Sequence, residues 1–242
     1  MAGEEATRAR VAAVVLAAGA ATRMAGTDKV LAPLDGRPLI HYGLSLFERC
    51  PEVDGVVIVS AAGAEGRIRD AASSFGFTKV RAVVAGGAER RDSAAAGLAA
   101  AEEFAEPDAA VLIHDAARPL ARVELIARLL EGLNVAEGAV PAVPVTDTIK
   151  TVAGETGEVV ETLPRERLRA IQTPQAFKLQ VIAAAYRTAT AEEWTVTDDA
   201  AVLERAGGRV VAVEGDPDNF KITYPEDLAR AERVLEKRKA AP

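Results

Sequence analysis

The chain has 242 residues, of which 49% are hydrophobic and 27% are charged, and this length and composition predict one globular domain. Lys and Arg number 29 against 36 Asp and Glu, so the formal net charge of −7 argues against a protein that coats nucleic acid. Only 4% of the residues are aromatic, too few for a surface on which bases stack. An acidic chain can still bind a polyanion if its cations, or a metal ion, are concentrated in one pocket.

The sequence also predicts where the protein works. The one cysteine, Cys50, cannot form a disulfide within the chain, which suits a reducing compartment. No apolar run reaches the roughly 18–20 residues of a transmembrane helix. The N-terminal sequence MAGEEATRAR has the layout of neither a signal peptide nor a transit peptide. We therefore expect a cytoplasmic protein that does not enter a membrane.

Apolar runs of strand length alternate with amphipathic stretches of helix length up to residue 145. The predicted strands cover 11–17, 53–60, 79–85, 109–115 and 137–145. The predicted helices between them cover 38–49, 64–74, 91–104 and 122–133. Strands that are apolar throughout and separated by helices are typical of a mostly parallel sheet covered by helices.

This alternation is interrupted between about 146 and 171. Two shorter strands are predicted around the Gly-containing turn AGETG, and they form a hairpin that leaves the sheet as an arm. A second copy of the chain is the obvious surface for such an arm to pack on. The elements predicted beyond it are helices near 178–189 and 198–206, a strand at 209–215 and a helix at 225–238. We therefore predict a single domain over 1–242 with an arm at about 146–171.

The first predicted strand runs into LAAGAATRM, from Leu16 to Met24, and Lys29 follows five residues later. Small side chains after a strand let backbone N–H groups approach a phosphate, and Arg23 and Lys29 would supply positive charge. The segment is neither a P-loop nor a dinucleotide fingerprint, because it lacks GxxxxGK[ST] and GxGxxG. A tight turn with two solvated cations explains it equally well.

A second candidate, IHDAARP (113–119), lies at the end of the fourth predicted strand. A carboxylate such as Asp115 at that edge is well placed to hold Mg²⁺, which takes few protein ligands beside substrate phosphates. The structural alternatives are a helix cap for Asp115 and a surface ion pair for Arg118. Because the strand points to the same sheet edge as Arg23, the position favours a functional role.

A third candidate, GGAERRDS (86–93), closes the third predicted strand and opens a helix. The paired glycines would allow backbone contact with a flat ligand, and Ser93 could bond a sugar hydroxyl. The structural alternative is a helix N-cap, which Asp92 or Ser93 would satisfy equally well.

A fourth candidate, DNFKIT (218–223), puts Lys221 after the final predicted strand, where a lone lysine is usually solvated. His41 and His114 are not spaced as a metal-binding pair, and we expect both to be structural.

Together these motifs resemble the 2-C-methyl-D-erythritol 4-phosphate cytidylyltransferases of the non-mevalonate isoprenoid pathway. The likeness runs from about residue 11 to 236, and its pieces stand in the family's order: AAG…TRM…K, GG…ERRDS, HDAARP, DTIK, TPQAF, TDDA and DNFKIT.PEDL. The resemblance implies a Rossmann-like α/β fold, a mostly parallel sheet flanked by helices, with a protruding β-arm exchanged in a homodimer. It implies the reaction of CTP with methylerythritol phosphate to give the CDP-linked alcohol and pyrophosphate, with Mg²⁺ or another divalent cation.

The resemblance also implies roles for residues at matching positions. Arg23 and Lys29 would hold the triphosphate and stabilise the transition state, and Lys221 would add positive charge near the α-phosphate. Asp115 would bind the metal ion. The nucleoside would be held by the following residues: Ala17, Ala18, Gly19, Gly87, Ala88 and Ser93, with Ala116 and Arg118 beside them. The methylerythritol phosphate would be reached by residues of the partner's arm and enclosed by two others: Thr148 and Arg165, then Thr197 and Asp218.

Two alternatives remain open beside this resemblance. A cytidylyltransferase for ribitol phosphate or another sugar phosphate would share most of the nucleotide-binding half. The loop reads Ala-Ala-Thr-Arg and then Asp28-Lys29-Val30, where the family usually has a second glycine and Pro-Lys-Gln. A nucleotide-binding protein that has lost catalysis is therefore the alternative from a different class, although such a protein would not require Arg23, Lys29, Asp115 and Lys221 together.

Overall fold

A computed structural model describes residues 11–19 and 29–240 of the chain, and of Lys29 it describes the backbone. Within these residues the strands are β1 (Val11–Ala17), β2 (Pro33–Leu34), β3 (Arg37–Pro38), β4 (Val53–Ser60), β5 (Val80–Ala85), β6 (Ala110–Asp115), β7 (Gly138–Pro144), β8 (Lys150–Val152), β9 (Val159–Thr162), β10 (Arg169–Ile171), β11 (Gln175–Lys178) and β12 (Val210–Glu214). The α-helices are α1 (Leu39–Arg49), α2 (Glu65–Ser74), α3 (Arg90–Glu102), α4 (Val123–Gly132), α5 (Leu179–Ala191), α6 (Asp199–Arg205) and α7 (Pro225–Ala240). Short 3₁₀ helices cover Lys29–Leu31 and Arg165–Arg167.

The main sheet has eight strands in the order β10-β7-β11-β6-β1-β4-β5, and β12 also pairs with β7. The pairs β1–β4, β1–β6, β4–β5 and β7–β12 are parallel. Within this sheet, β10 and β11 run antiparallel to their neighbours. The predicted mostly parallel sheet is therefore confirmed, and the carboxyl ends of β1, β4, β5 and β6 meet along one edge.

The central strand β1 shows why helices cover both faces of this sheet. Its odd-numbered side chains, such as Ala13 and Val15, pack in one apolar cluster with residues of α1, α2 and α4. Its even-numbered side chains, such as Ala12 and Val14, pack in a second cluster with residues of α3, α5 and α6. Because successive side chains of a strand point to opposite faces, an all-apolar strand needs an apolar layer on each side.

The strand β11 is the main feature that the sequence did not predict. It lies antiparallel between β6 and β7, so the fourth and fifth predicted strands are not neighbours. It spans Gln175–Lys178, a length at which alternation of apolar and polar residues carries little signal. The short strands β2, β3 and β10 escaped prediction for the same reason.

The hairpin β8–β9 forms a two-stranded sheet of its own, separate from the main sheet. All residues of its two strands are exposed, including three valines: Val152 (56%), Val159 (53%) and Val160 (69%). At the base of the hairpin, Arg165 Nη1 donates a hydrogen bond of 2.7 Å to the carbonyl oxygen of Thr146. The predicted hairpin is thus present, but the predicted arm boundary at 171 is wrong, because β10 (Arg169–Ile171) pairs with β7 in the main sheet. The use of the hairpin as a dimerisation arm stays a prediction.

The last helix, α7, fixes the segment that carries Lys221. Its residue Ala231 packs with Leu34, Leu120 and Ile222 in a third, smaller apolar cluster. The backbone N–H of Ile222 donates a 2.8 Å hydrogen bond to the carbonyl oxygen of Ala117, just beyond β6. The chain next to Lys221 is therefore held at the carboxyl edge of the sheet. None of the helices within the described residues is both long enough and apolar enough to span a membrane.

Candidate active site

A cavity of about 710 Å³ opens at the carboxyl edge of the main sheet. Its walls come from the segments that follow β1, β4, β5 and β6, together with Lys221 beyond β12. The residues used below that line it are Ala18, Gly19, Gly86, Gly87, Ala88, Glu89, Arg90, Ser93, Asp115, Ala117 and Lys221. Ligands of open α/β sheets bind at this edge, which makes the cavity the candidate site.

The glycine pair Gly86-Gly87 forms a wall of bare backbone. The N–H of Gly86 donates a 2.8 Å hydrogen bond to the carbonyl oxygen of Ser60, which holds the turn against the end of β4. A Cβ atom on Gly86 would lie 2.5 Å from Cβ of Ala18, and one on Gly87 would lie 2.3 Å from Cβ of Asp92. Neither position has room for a side chain, so the two glycines contribute only backbone to the cavity wall.

At the start of α3, the segment GGAERRDS both caps the helix and lines the cavity. The Asp92 carboxylate accepts a 3.2 Å hydrogen bond from the backbone N–H of Glu89, so Asp92 caps the helix. Ser93 also lines the cavity, and its hydroxyl donates a 3.1 Å hydrogen bond to the carbonyl oxygen of Glu89. A sugar hydroxyl bound by Ser93 would share that side chain with the helix.

Asp115 and Lys221 form an ion pair in the cavity wall. Lys221 Nζ lies 2.7 Å from Asp115 Oδ2, although the two residues are 106 positions apart in the chain. Burial opposes the charge on Asp115 most strongly, but Arg90 and Lys221 together hold its pKa well below the usual range. Lys221 is therefore held in an ion pair and is only partly exposed, unlike the freely solvated lysine that its position alone suggested.

Arg90 is a residue of the cavity wall that the sequence analysis did not select. Its two terminal nitrogens donate to the two oxygens of the Asp199 carboxylate at 2.8 and 2.7 Å. One of them also lies 3.3 Å from Asp115 Oδ1. The hydroxyl of Tyr186 donates a 2.5 Å hydrogen bond to Asp199, and burial followed by the charge of Asp199 raises the pKa of that phenol. The motifs ERRDS and TDDA contained this pair, but nothing in a linear pattern indicates that they meet.

Buried hydrogen bonds through Thr173 and His114 fix the backbone of Asp115. The backbone N–H of Asp115 donates to the hydroxyl of Thr173 at 3.0 Å, and that hydroxyl lies 3.0 Å from His114 Nδ1. His114 Nε2 lies 3.1 Å from the carbonyl oxygen of Arg118, which only an N–H on that nitrogen can bond. Burial lowers the pKa of His114 to about 4, so the ring is neutral at physiological pH. His114 is fully engaged with the protein, as expected of a structural histidine.

Several predicted residues surround the cavity without lining it. Ala17 and Ala116 are buried in the core, and Ala117 stands at the wall instead of Ala116. The guanidinium of Arg118 donates to the carbonyl oxygens of Asn219 at 2.8 Å and of Ile171 at 3.3 Å.

The remaining predicted residues are more peripheral. Thr148, Arg165 and Thr197 are exposed, and Asp218 is partly buried. Its backbone N–H donates to Asp216 Oδ1 at 2.9 Å. Arg23 and the side chain of Lys29 lie outside the described residues, so their predicted roles stay predictions.

The described residues, as they stand, do not fit a metal ion held by Asp115. Its Oδ1 faces Arg90 and its Oδ2 faces Lys221, whereas Mg²⁺ would need one of these oxygens as a ligand. In the part of the chain that the structure describes, no group of three His, Cys, Asp or Glu is placed to share a metal. Metal binding by Asp115 therefore remains a prediction.

The sequence of the whole chain was compared with known protein families and curated proteins. Residues 11–237 match the family model described as 2-C-methyl-D-erythritol 4-phosphate cytidylyltransferase. A protein of that name from Geotalea uraniireducens is 44% identical over 228 residues, which cover 93% of this chain and 97% of the relative. Another from Rubrobacter xylanophilus is 43% identical, with 92% of this chain and 94% of the relative covered.

The fold was compared with solved structures. The 4-diphosphocytidyl-2C-methyl-D-erythritol synthase of Anaerococcus prevotii superposes with a TM-score of 0.80 at 29% identity, covering 94% of this chain and 96% of that one. The 2-C-methyl-D-erythritol 4-phosphate cytidylyltransferase of Thermus thermophilus gives a TM-score of 0.74 at 32% identity, covering 92% and 98%. Family model, relatives and structures agree over nearly the whole chain. The chain therefore belongs to the 2-C-methyl-D-erythritol 4-phosphate cytidylyltransferase family.

Proposed function

We propose that this protein transfers CMP from CTP to 2-C-methyl-D-erythritol 4-phosphate, forming 4-diphosphocytidyl-2-C-methyl-D-erythritol and releasing pyrophosphate. The observation that carries the proposal is the cavity at the carboxyl edge of the sheet, in a chain whose residues 11–237 match that enzyme family. The cavity wall combines the backbone of two glycines with a lysine, groups that can bind a base and a phosphate.

In this reaction the protein mainly has to position the two substrates and to neutralise negative charge on their phosphates. An oxygen of the alcohol's phosphate attacks the α-phosphorus of CTP, a new P–O bond forms, and the bond to the β-phosphate oxygen breaks. Negative charge accumulates on the phosphate oxygens between the two reactants, where a preorganised cation stabilises it. Among the described residues, Arg90 and Lys221 are the cations that line the cavity, and Lys221 is the more exposed of the two, with a side chain that is 46% accessible.

Asp115 has a definite part in this proposal. It holds the Lys221 ammonium at the cavity wall before substrate arrives, through the 2.7 Å ion pair. When a phosphate enters, its oxygens compete with Asp115 for the same ammonium, and Arg90 stays with Asp115. Arg23 and Lys29, which the family resemblance assigns to the triphosphate, would add further charge.

We assign the base and ribose to the part of the cavity wall that Gly86 and Gly87 form. Gly87 is exposed and Gly86 is partly exposed there, and backbone N–H and C=O groups can recognise the hydrogen-bonding edge of a base. Ala18, Gly19, Ala88 and Ser93 also line the cavity, and Ser93 carries a hydroxyl. We assign the cytidine to this side and the triphosphate to the side of Lys221.

The alcohol phosphate is assigned to a site shared between two chains. Thr148 and Arg165 are exposed at the base of the β8–β9 hairpin, and neither lines the cavity of its own chain. The exposed valines of the hairpin favour a homodimer in which the hairpin packs on the partner. Thr197 and Asp218 would then help to enclose the substrate.

Mixing two inactive variants tests the shared site. Lys221→Met and Arg165→Gln should each lower turnover by orders of magnitude, and dimers re-formed from an equal mixture should recover about a quarter of the wild-type activity. That fraction follows because half of the random dimers carry one intact site. Absence of recovery in verified heterodimers would place the whole site in one chain.

The function itself is tested by pyrophosphate release from CTP with a panel of sugar and sugar-alcohol phosphates, in the presence of Mg²⁺. We expect turnover with 2-C-methyl-D-erythritol 4-phosphate and little with ribitol 5-phosphate. Equal turnover with ribitol phosphate would move the assignment to the neighbouring enzyme class. CTP binding without any turnover would favour a nucleotide-binding protein that has lost catalysis.

A further inference from the structure

The side chains of Arg90 and Asp199 form an ion pair next to the Asp115–Lys221 pair. Arg90 is the first residue of α3, and its side chain remains 32% exposed in the cavity wall. Asp199 is the first residue of α6 and is completely buried. An ionised carboxylate at such a depth is costly unless it is paired.

The Arg90–Asp199 contact has the geometry of a clamp. The guanidinium meets both carboxylate oxygens, at 2.8 and 2.7 Å, in the two-bond arrangement that fixes its plane. Tyr186 donates a third hydrogen bond to Asp199, so the carboxylate is fixed as well. Because both partners are anchored, Arg90 has little freedom to follow a ligand into the cavity.

The clamped guanidinium then reaches Asp115. The nitrogen that bonds Asp199 Oδ2 lies 3.3 Å from Asp115 Oδ1, while Lys221 occupies the other oxygen at 2.7 Å. The four charges alternate in sign along the series Asp199, Arg90, Asp115, Lys221. Of the two cations, Arg90 pairs with two carboxylates and Lys221 with one among the described contacts, so Lys221 is better able to turn toward a phosphate.

We propose that Arg90, clamped by Asp199, is a positioning residue that orients the Asp115 carboxylate and thereby sets where the Lys221 ammonium meets the phosphates. The proposal rests on the proposed function and adds a residue pair to it. A lysine at position 90 would keep the charge but could not bond both carboxylates in one plane. The shape of the arginine, as well as its charge, therefore matters here.

The clamp can be removed without leaving a buried charge unpaired. The double variant Arg90→Gln/Asp199→Asn neutralises both partners together, and the Asn side chain can still accept from Tyr186. We expect its kcat to fall about 100-fold, as for a misplaced catalytic group, with KM for CTP changed less than about threefold. Thermal unfolding would verify that the double variant folds. The single variant Arg90→Lys, which keeps the charge, should have a kcat between those of the double variant and the wild type.

A double-mutant cycle separates positioning from general loss of structure. If the clamp acts through Lys221, adding the double variant to Lys221→Met should lower kcat by less than about threefold further. The matched control is Arg91→Gln, next to Arg90 on α3, whose side chain contacts Asp92 and the carbonyl oxygen of Trp194. Whatever it costs, its effect should be the same in the wild-type and the Lys221→Met backgrounds. If Arg90→Gln/Asp199→Asn lowers kcat by the same factor in the Lys221→Met background as in the wild type, the proposal is overturned.

A substrate-free readout keeps this inference distinct from the proposed function. In ¹⁵N-labelled protein the Lys221 ammonium, identified by its loss in Lys221→Met, should give a proton–nitrogen signal while Asp115 holds it. The signal should broaden or disappear in the clamp variant and persist in Arg91→Gln. If the wild-type protein turns over no sugar phosphate, the proposed function fails, and this signal alone decides: its persistence in the clamp variant would refute the positioning role.

Discussion

The charged cluster of Asp199, Arg90, Asp115 and Lys221 finds its partners within one chain, whereas the exposed side chains of the β8–β9 hairpin do not pack against the rest of the described chain. In the cluster, four charged residues are paired with each other at 2.7 to 3.3 Å, and Asp199 is completely buried. In the hairpin, every strand residue is exposed and three of them are valines. The cluster is organised within a single chain, whereas the hairpin presents apolar surface that a second chain would bury. The first region can therefore be tested by unfolding, the second by association.

Removing the buried anion of the cluster is expected to have the largest effect. Asp199→Ala leaves Arg90 without its clamp and Tyr186 without its acceptor, so the free energy of unfolding should fall by about 3–5 kcal/mol. Denaturant unfolding measures this difference. An exposed pair gives the matched control: Glu102→Ala, which removes the partner of Arg187, should cost less than about 1 kcal/mol. Similar losses for the two variants would contradict the account of the cluster.

The buried imidazole below the cluster predicts a pH dependence of stability. The pKa of His114 is lowered to about 4, whereas the unfolded chain has the ordinary value of about 6.5, so the unfolded state binds the proton first as the pH falls. The contribution of His114 is fully present above pH 6.5 and is lost toward pH 4, by about 2 kcal/mol between about pH 7.5 and pH 5. Comparison of unfolding free energies at the two pH values, in wild type and His114→Gln, isolates this part. An identical pH dependence in both proteins would show that His114 is not buried in the neutral form.

The hairpin is expected to contribute to association and hardly at all to the stability of one chain. Val152 and Val159 are cross-strand partners, and we expect Val152→Ser/Val159→Ser to raise the dissociation constant of the proposed dimer at least about tenfold, or 1.4 kcal/mol. Analytical ultracentrifugation measures the constant, and thermal unfolding under monomeric conditions should shift little. The control Val135→Ser replaces a similarly exposed valine outside the hairpin and should leave association unchanged. An unaffected dimer in the double variant would remove the hairpin from the interface.

Most of the sheet could be predicted because its strands are apolar on both faces. The strands β1 and β4 have the predicted bounds, and the predicted helices α1 to α4 differ from the observed ones by at most two residues at either end. The antiparallel insertion of β11 could not be predicted, because four residues carry too little periodicity and strand order depends on long-range pairing.

The sequence predicted the motifs that form the site but not the contacts between their side chains. The motifs placed Asp115 and Lys221 at the carboxyl edge, but their ion pair joins positions that are 106 residues apart. Arg90 and Asp199 were missed because each, taken alone, is explained by a helix start: Arg90 opens α3 and Asp199 opens α6. Only the packing of those two helix ends against the same sheet edge makes them neighbours.

The most direct test of the central claim is a crystal structure of the protein with CTP. The account predicts the cytosine against the backbone of Gly86 and Gly87, and phosphate oxygens within hydrogen-bonding distance of Lys221 Nζ. Arg90 should keep both of its bonds to Asp199 in that complex. A nucleotide bound away from this cavity, with Lys221 still paired to Asp115 and no phosphate nearby, would contradict it.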